Sequence, residues 1–302
     1  MSTLAVDLVD LAYSLDAGGR TEMAYTVLDA AVARNVRADE ALALKGDLLR
    51  SRGELLDAAT TFGALSRRRP EDSRARYLSA LLSGSVAARE GACPPPWPSA
   101  FVRVEDFLDD ARHAEVMLLV SSSASAFEPS TVGVTVPGGR EARVVLSDRI
   151  SFRLTDVGAI ADWLRPLIRE RLPSIAARLG LAPFTVREIE LKCTAYGDGN
   201  FFAAHSDTRH HPSRRVSFVY YFHRVPKPYR GGALLLYDSD VARPGTYFPR
   251  GVTRLDTLDN SVVFFPSGSF HEVERIVCPS GRFEDARFTF AGHVHAEHSD
   301  DA

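Results

Sequence analysis

Four prolines fall within the five residues that close Gly91-Ala-Cys-Pro-Pro-Pro-Trp-Pro98, and neither a helix nor a central strand can run through such a segment. The chain must therefore fold as two blocks, and their textures differ. No proline precedes Pro70, and apolar residues recur at helical spacing: Leu42, Ala43, Gly46 and Leu49, then Leu55, Ala58, Ala59, Phe62 and Leu65. Glycines punctuate this stretch at Gly18-Gly19 and Gly53, which predicts short helices over 4–16, 21–34, 39–51, 54–68 and 73–89. After the break, Phe101–Val104 reads as a strand, with helices over 105–120 and 157–179. From Thr185 onward come short β runs separated by Gly, Pro, Asp and Ser: VREIELKCTAY, FFAAHSD, RVSFVYYF, GGALLLYD, SVVFFP, FHEVERIV and ARFTFAGHVH. The expected organisation is a helical domain over 1–90, a stiff extended linker over 91–98, and an α+β domain over 99–302. Its many short strands suggest a double-sheet jelly roll with supporting helices.

The helical block repeats at a spacing of 34 residues, with Leu15 matching Leu49, Gly19 Gly53, Ala24 Ala58, Leu28 Phe62 and Ala30 Ala64. Small residues at Gly46 and Ala58 allow close helix approach, Phe62 fills the gap, and Pro70 stops the helix. The pattern resembles the tetratricopeptide repeat. Two repeats and a capping helix are short for such an array, so the block is expected to pack on the second domain or on another subunit.

Composition excludes several classes. With 45% hydrophobic and 25% charged residues, the chain has the makings of a globular core. A net charge of −3 with interspersed signs argues against nucleic acid as a partner. Cys93, Cys193 and Cys278 are scattered and odd in number, giving no disulfide framework or zinc-knuckle spacing, and read as reduced thiols. The first residues carry acids inside an apolar stretch and lack a basic leader. No run approaches the roughly 18 apolar residues of a membrane span. A cytoplasmic protein is expected; oligomeric state is not legible.

The chemistry centres on Phe201-Phe-Ala-Ala-His205-Ser-Asp207. Side chains alternate along a strand, so His205 and Asp207 project from one face. An imidazole and a carboxylate side by side suit a divalent metal, and His271, which opens a strand after Ser267-Gly-Ser269, is placed to be the third ligand. His-x-Asp alone is common. The ordered context is not: Thr194–Asn200 precedes it, and Val219-Tyr-Tyr-Phe222, Gly231-Gly-Ala-Leu234 and Phe270-His-Glu-Val273 follow. Together, over about residues 99–296, they resemble the catalytic domain of prolyl-4-hydroxylase-type iron(II)- and 2-oxoglutarate-dependent oxygenases, whose fold is a double-stranded β-helix.

That resemblance implies Fe(II) on His205, Asp207 and His271, with 2-oxoglutarate and O2 as co-substrates and ascorbate as a candidate reductant. It also implies a basic residue for the distal carboxylate of 2-oxoglutarate. Arg287 is preferred, because alternation sets Arg287 and Thr289 on one face and Phe288 and Phe290 on the other, and a guanidinium can take a carboxylate through two parallel hydrogen bonds, with Thr289 adding a third. Arg282, in the turn Pro279–Asp285, is the alternative, since the interval from His271 to Arg287 is longer than the family shows. Tyr196 and Tyr221 match positions that contact the co-substrate, with core packing as the competing reading; Tyr220 is assigned to the core. His210 and His211 read as a polar loop at the mouth of the site, with substrate contact as the alternative; His293 and His295 share the face of Arg287 and read as structural, with a place near the site for one of them as the alternative; Gly231-Gly232 reads as a turn or bulge. The implied reaction hydroxylates an unactivated C–H bond. The repeat-like block points to a peptide or protein substrate; a free amino acid or natural-product intermediate is the alternative. A peptide-binding protein with an inert oxygenase domain and a cupin-like dioxygenase are the rival readings.

Overall fold

The computed structural model describes residues 7–85, 96–136, 139–209, 211–240 and 245–297. Cys93, His210, most of the proline segment and the outer ends of the helices expected over 4–16 and 73–89 lie outside these residues. The helical block comprises α1 (Leu8–Ala17), α2 (Thr21–Ala33), α3 (Ala38–Arg52), α4 (Leu55–Arg68) and α5 (Ser73–Leu82). Asp7 and Asp72 start α1 and α5 by accepting hydrogen bonds from the orphan N–H groups of the first turn. Gly19 and Gly53 occupy equivalent turns 34 residues apart, with φ of +74° and +86°. At Gly46 a Cβ would stand 2.6 Å from the ring of Phe62, so the missing side chain is what lets α3 and α4 close around that ring.

Two further helices, α6 (Asp110–Ser122) and α7 (Ala159–Arg178), belong to the second block. α6 starts later than the expected residue 105, because Asp106 is left-handed with φ +47° and the carboxylate that caps the helix belongs to Asp109. α7 runs through Pro166 and Pro173. Its buried stripe of Ile160, Leu164, Ile168, Leu172 and Ile175 outweighs the interrupted ladder, each side chain contributing roughly 1.5–3 kcal/mol on burial.

Most of the described strands form two facing antiparallel sheets, and two further pairs stand apart from them. The larger runs in the order Val102–Val104, Ser261–Pro266, Arg214–Phe222, Arg287–Ala296, Lys192–Tyr196, Phe152–Leu154 and Glu128–Pro129, with Val186–Ile189 also paired to the Arg287 strand. The smaller runs Tyr247–Leu255, Leu234–Ser239, His271–Val273, Phe201–His205 and Arg149–Ile150. Alternation sorts the long strands: Phe218, Tyr220, Phe222, Phe288 and Phe290 meet α6 and α7 on one face, while Ser217, Val219, Arg287, Thr289 and His293 line the space between the sheets. Tyr220 is core, as expected. Three features escaped the sequence reading: the strand Tyr247–Leu255, the hairpin Val132–Val136 with Gly139–Arg143, and the short strands at 128–129, 149–150 and 152–154.

The helical block packs directly on the smaller sheet. Leu49, Phe62 and Tyr77 share one apolar cluster with Leu234, Leu236 and Leu255 of that sheet. Within it, Arg50 is fully buried and grips Asp238 with both terminal nitrogens at 2.7 and 2.5 Å, while its Nε donates to Asp47 at 2.8 Å. Burial would lower the pKa of Arg50, but Asp238 and Asp47 overrule it and raise it. At the end of the proline segment, Trp97 pairs through its backbone with Ser239, in both directions at 2.9 Å.

Candidate metal centre

His205 ends its strand and His271 begins the neighbouring one, and antiparallel pairing places the two residues directly opposite each other. Each imidazole is oriented by its own strand: Nδ1–H of His205 donates to the Ala203 carbonyl at 2.9 Å and that of His271 to Ser269 at 3.0 Å. Both Nε2 atoms are thereby left as acceptors facing a common point. Phe202 stacks on His205 at 3.6 Å between ring centres, and Phe265 meets His271 edge-on at 4.7 Å. Asp207 completes the set, with Oδ1 3.5 Å from His205 Nε2 and Oδ2 3.5 Å from His271 Nε2. Its backbone N–H donates to Ser267, tying the two ligand-bearing turns together at 3.1 Å. Ligand atoms of the three residues all lie within 4.8 Å of one another.

The protonation states suit a metal. Burial pushes His271 down to about 4, so its nitrogen lone pair is available near neutral pH. Burial alone would raise Asp207, but the surrounding imidazoles His293, His271 and His205 hold its carboxyl well below the usual range. Ser217 donates to Asp207 Oδ2 at 2.6 Å and fixes the carboxylate. A buried carboxylate beside the two imidazoles, with all three outer contacts satisfied, fits a divalent ion that accepts mixed nitrogen and oxygen donors.

A cavity runs inward from this triad between the sheets, and Arg287 stands in its wall. Arg287 is 1% exposed, and its Nε donates to the Gly232 carbonyl at 2.8 Å. Its remaining two nitrogens have no hydrogen-bond or ion-pair partner among the described residues. The guanidinium lies 5.0 Å from the ring centres of both Tyr196 and Tyr221. The Tyr221 hydroxyl is likewise buried without a partner. A buried cation and a phenol left open together call for a bound anion, and a carboxylate matches both. Gly232 makes the approach possible: its φ is +72° and a Cβ there would fall 2.8 Å from Arg287 Cδ.

Of the residues singled out in the sequence, His205, Asp207, His271, Arg287, Thr289 and Tyr196 all border this cavity. Tyr221 stands against Arg287. The Thr289 hydroxyl lies 2.5 Å from that of Thr194. Arg282 stays in its exposed turn and pairs with Asp285 and Glu284, away from the site. The added loop after His271 accounts for the long interval to Arg287: it carries Ile276–Val277, which pairs with Arg230–Gly231, and then the turn of Phe283–Asp285. Of the two histidines on the face of Arg287, His293 is the one that lies near the site, with Nδ1 3.5 Å from Asp207 and 3.1 Å from Ser217. His295 is structural: its Nδ1 is hydrogen-bonded to Ser213 at 2.9 Å, and its Nε2 stands 3.1 Å from the Glu190 carboxylate. His211 borders the outer cleft.

Sequence reasoning missed Ser217, Arg149 and Lys192, all in the cavity wall. Ser217 was legible from alternation, since it shares a face with Tyr221. Lys192 similarly shares the face of Thr194 and Tyr196. Arg149 lies on a two-residue strand with no periodicity to reveal it.

Residues 191–295 match the family model of the 2OG-Fe(II) oxygenase superfamily. A curated relative from Synechocystis sp. (strain ATCC 27184 / PCC 6803 / Kazusa), an uncharacterized PKHD-type hydroxylase, is 30% identical over 200 residues, 65% of this chain and 63% of that protein. The chain thus spans just under two thirds of that relative's length. Among solved structures, a Pseudomonas putida prolyl-4-hydroxylase aligns at a TM-score of 0.46 and 21% identity, over 66% of this chain and 94% of that one. A collagen prolyl hydroxylase of Paramecium Bursaria Chlorella virus-1, in complex with 2OG, aligns at a TM-score of 0.41 and 13% identity, over 65% and 96%.

Proposed function

From the premise that residues 191–295 belong to the 2OG-Fe(II) oxygenase superfamily, we propose that the protein is an Fe(II)- and 2-oxoglutarate-dependent hydroxylase acting on a peptide or protein side chain. One observation carries the reading: the buried, unpaired guanidinium of Arg287 shares a single cavity with the His205, Asp207 and His271 triad. An inert relic of an oxygenase would have no reason to keep a charge buried without a partner, because such a charge destabilises the fold unless a ligand meets it.

His205, Asp207 and His271 would hold the metal, their two imidazoles and one carboxylate leaving the opposite side open to ligands. When bound, iron and 2-oxoglutarate supply the oxidising power, one oxygen atom of O2 entering a C–H bond while 2-oxoglutarate leaves as succinate and carbon dioxide. Arg287 holds the far carboxylate, with the Tyr221 hydroxyl as a second donor. Ser217 keeps the Asp207 carboxylate from swinging away. The phenylalanines Phe202 and Phe265 keep both imidazoles in register and exclude water from their flanks. The peptide-sized substrate is supported by the helical block packed beside the catalytic sheet, whose repeat is of a kind suited to binding extended chains; this support is an analogy of fold.

The full chain mixed with Fe(II), ascorbate and 2-oxoglutarate should release succinate, and Arg287→Ala should weaken 2-oxoglutarate binding. No succinate and no 2-oxoglutarate binding would sink the reading, while turnover indifferent to Arg287→Ala would favour a cupin-like dioxygenase. Mass spectrometry of candidate peptides for a gain of one oxygen tests the substrate.

A further inference from the structure

The cations around the metal centre outnumber what the co-substrate needs. Residues 149–154 cross from the smaller sheet to the larger at one open edge: Arg149 sits on the last strand of the first, Ser151 turns the corner, and Arg153 pairs with Thr194 on the second. Lys192 lies one inward-facing position before Thr194. The three basic side chains thus gather at the mouth of the cavity, on the rim of an outer cleft of about 700 Å³ that also borders His205 and Asp207.

None of the three is neutralised. Arg149 is 8% exposed, and its contacts are a hydrogen bond to Ser151 at 2.7 Å, a long one to Tyr196 at 3.5 Å and the face of Phe202 at 4.5 Å. Arg153 donates to Thr131, and its Nε is buried with no partner. Lys192 makes no hydrogen bond or ion pair among the described residues. Among the described residues the cleft wall holds Arg149, Arg153, Lys192, Arg209 and Arg214 against the acids Asp148 and Asp207. Asp207 is committed to the metal, and Arg214 is matched by Glu190 at 2.6 Å. A divalent ion adds positive charge, which 2-oxoglutarate offsets through its own two carboxylates. The excess at this edge is left for something else, and a guanidinium beside an ammonium suits a carboxylate oxygen pair.

We propose that this edge is a second carboxylate-recognition site, in which Lys192, Arg149 and Arg153 hold an acidic group of the substrate while its C–H bond lies over the metal. The proposal rests on the oxygenase reading above. It narrows the substrate to a molecule with a carboxylate near the oxidised carbon, whether an Asp or Glu side chain of a peptide or a free acidic amino acid.

The test is binding to the full chain loaded with Fe(II) and saturating 2-oxoglutarate under anaerobic conditions, by calorimetry. The probes are glutamate against glutamine and aspartate against asparagine, each free and within capped Ala-X-Ala tripeptides. Charge-assisted recognition predicts acids binding at least roughly tenfold tighter than their amides. The free or peptide arm that shows this preference identifies the source. Lys192→Gln, at a half-buried position, should bring the acid-to-amide ratio close to one, and Lys192→Gln/Arg153→Gln should do so fully. Equal or undetectable binding of acids and amides overturns the proposal. So does a loss of 2-oxoglutarate affinity in these variants as large as the loss for the acids, which would assign the cations to the co-substrate. Failure of the wild-type chain to bind 2-oxoglutarate at all would instead sink the oxygenase reading.

Discussion

Arg50 and Arg287 are both buried arginines in the same molecule, 0% and 1% exposed, and they have opposite surroundings. Arg50 bridges the helical block and the smaller sheet, and acids meet all three of its nitrogens: Asp238 takes the two terminal ones and Asp47 takes Nε. Arg74 joins the same carboxylates at 3.3 and 3.0 Å. Arg287, between the sheets, is offered one backbone carbonyl and two aromatic rings. A buried charge that the chain satisfies itself sets how parts of the fold sit together. One that the chain leaves unsatisfied is, on the function proposed above, a seat for a ligand. The contrast separates architecture from function more sharply than burial or charge could alone.

The contrast is broken most violently by taking a partner from Arg50. Asp238→Ala should destabilise the protein by about 3–5 kcal/mol, because an uncompensated guanidinium stays in the interior; the midpoint of urea unfolding measures it, and a shift below about 1 kcal/mol would show that the network is not holding the two blocks together. Arg287→Met should do the reverse. It removes a charge that has no partner, so the stability of the ligand-free protein should be unchanged or raised, while 2-oxoglutarate binding weakens by at least roughly a hundredfold, about 2.7 kcal/mol. A large loss of stability in Arg287→Met would mean that the residue is structural after all.

Arg287 was legible in the sequence and Arg50 was not, for a physical reason. Arg287 opens Arg-Phe-Thr-Phe, where alternation alone declares which side chains share its face. The acid that takes both terminal nitrogens of Arg50, Asp238, lies 188 positions away. Asp238 reads simply as the end of Leu-Leu-Leu-Tyr-Asp, and the neighbouring strand Tyr247–Leu255 holds Pro249 and Gly251, which hide it as a strand. Gly251 leaves the room that Asp238 occupies, since a Cβ there would come 2.6 Å from its carboxylate. The triad was readable because its members carry local pattern: His-x-Asp at the end of one strand, with Asp207 in the turn just past His205 rather than on the strand itself, and a turn that delivers the third. Ser217, Lys192 and Arg149 support the same site from other strands, and only the pairing of those strands brings them in.

At the metal itself the comparison sharpens through Ser217, a neutral side chain that serves a charged one. Ser217→Ala leaves the three ligands in place but frees the Asp207 carboxylate to rotate, so metal affinity should fall roughly 10–100-fold with little change in fold stability. Equilibrium dialysis against Mn(II) or Fe(II) under anaerobic conditions reads this directly. An unchanged affinity would leave Asp207 positioned by its Ser267 contact alone.

Gly232→Ala is the mildest change and the most discriminating, because it alters the setting of Arg287 without touching its charge. The φ of +72° costs an alanine about 1 kcal/mol, and the new methyl would meet Arg287 Cδ at 2.8 Å. The guanidinium must then shift, and the Gly232 carbonyl that anchors its Nε shifts with it. If Arg287 is a pre-placed seat for a carboxylate, a displacement of this kind should raise the KM for 2-oxoglutarate roughly tenfold while kcat stays within a factor of about two, since the metal ligands and the substrate edge are untouched. If the cavity instead tolerates any cation in that region, KM will not move, and the loss of about 1 kcal/mol in unfolding free energy will be the whole effect. Thermal unfolding with and without 2-oxoglutarate separates the two outcomes in one experiment, because a ligand that has lost its seat no longer raises the transition temperature at the concentration that stabilised the wild type.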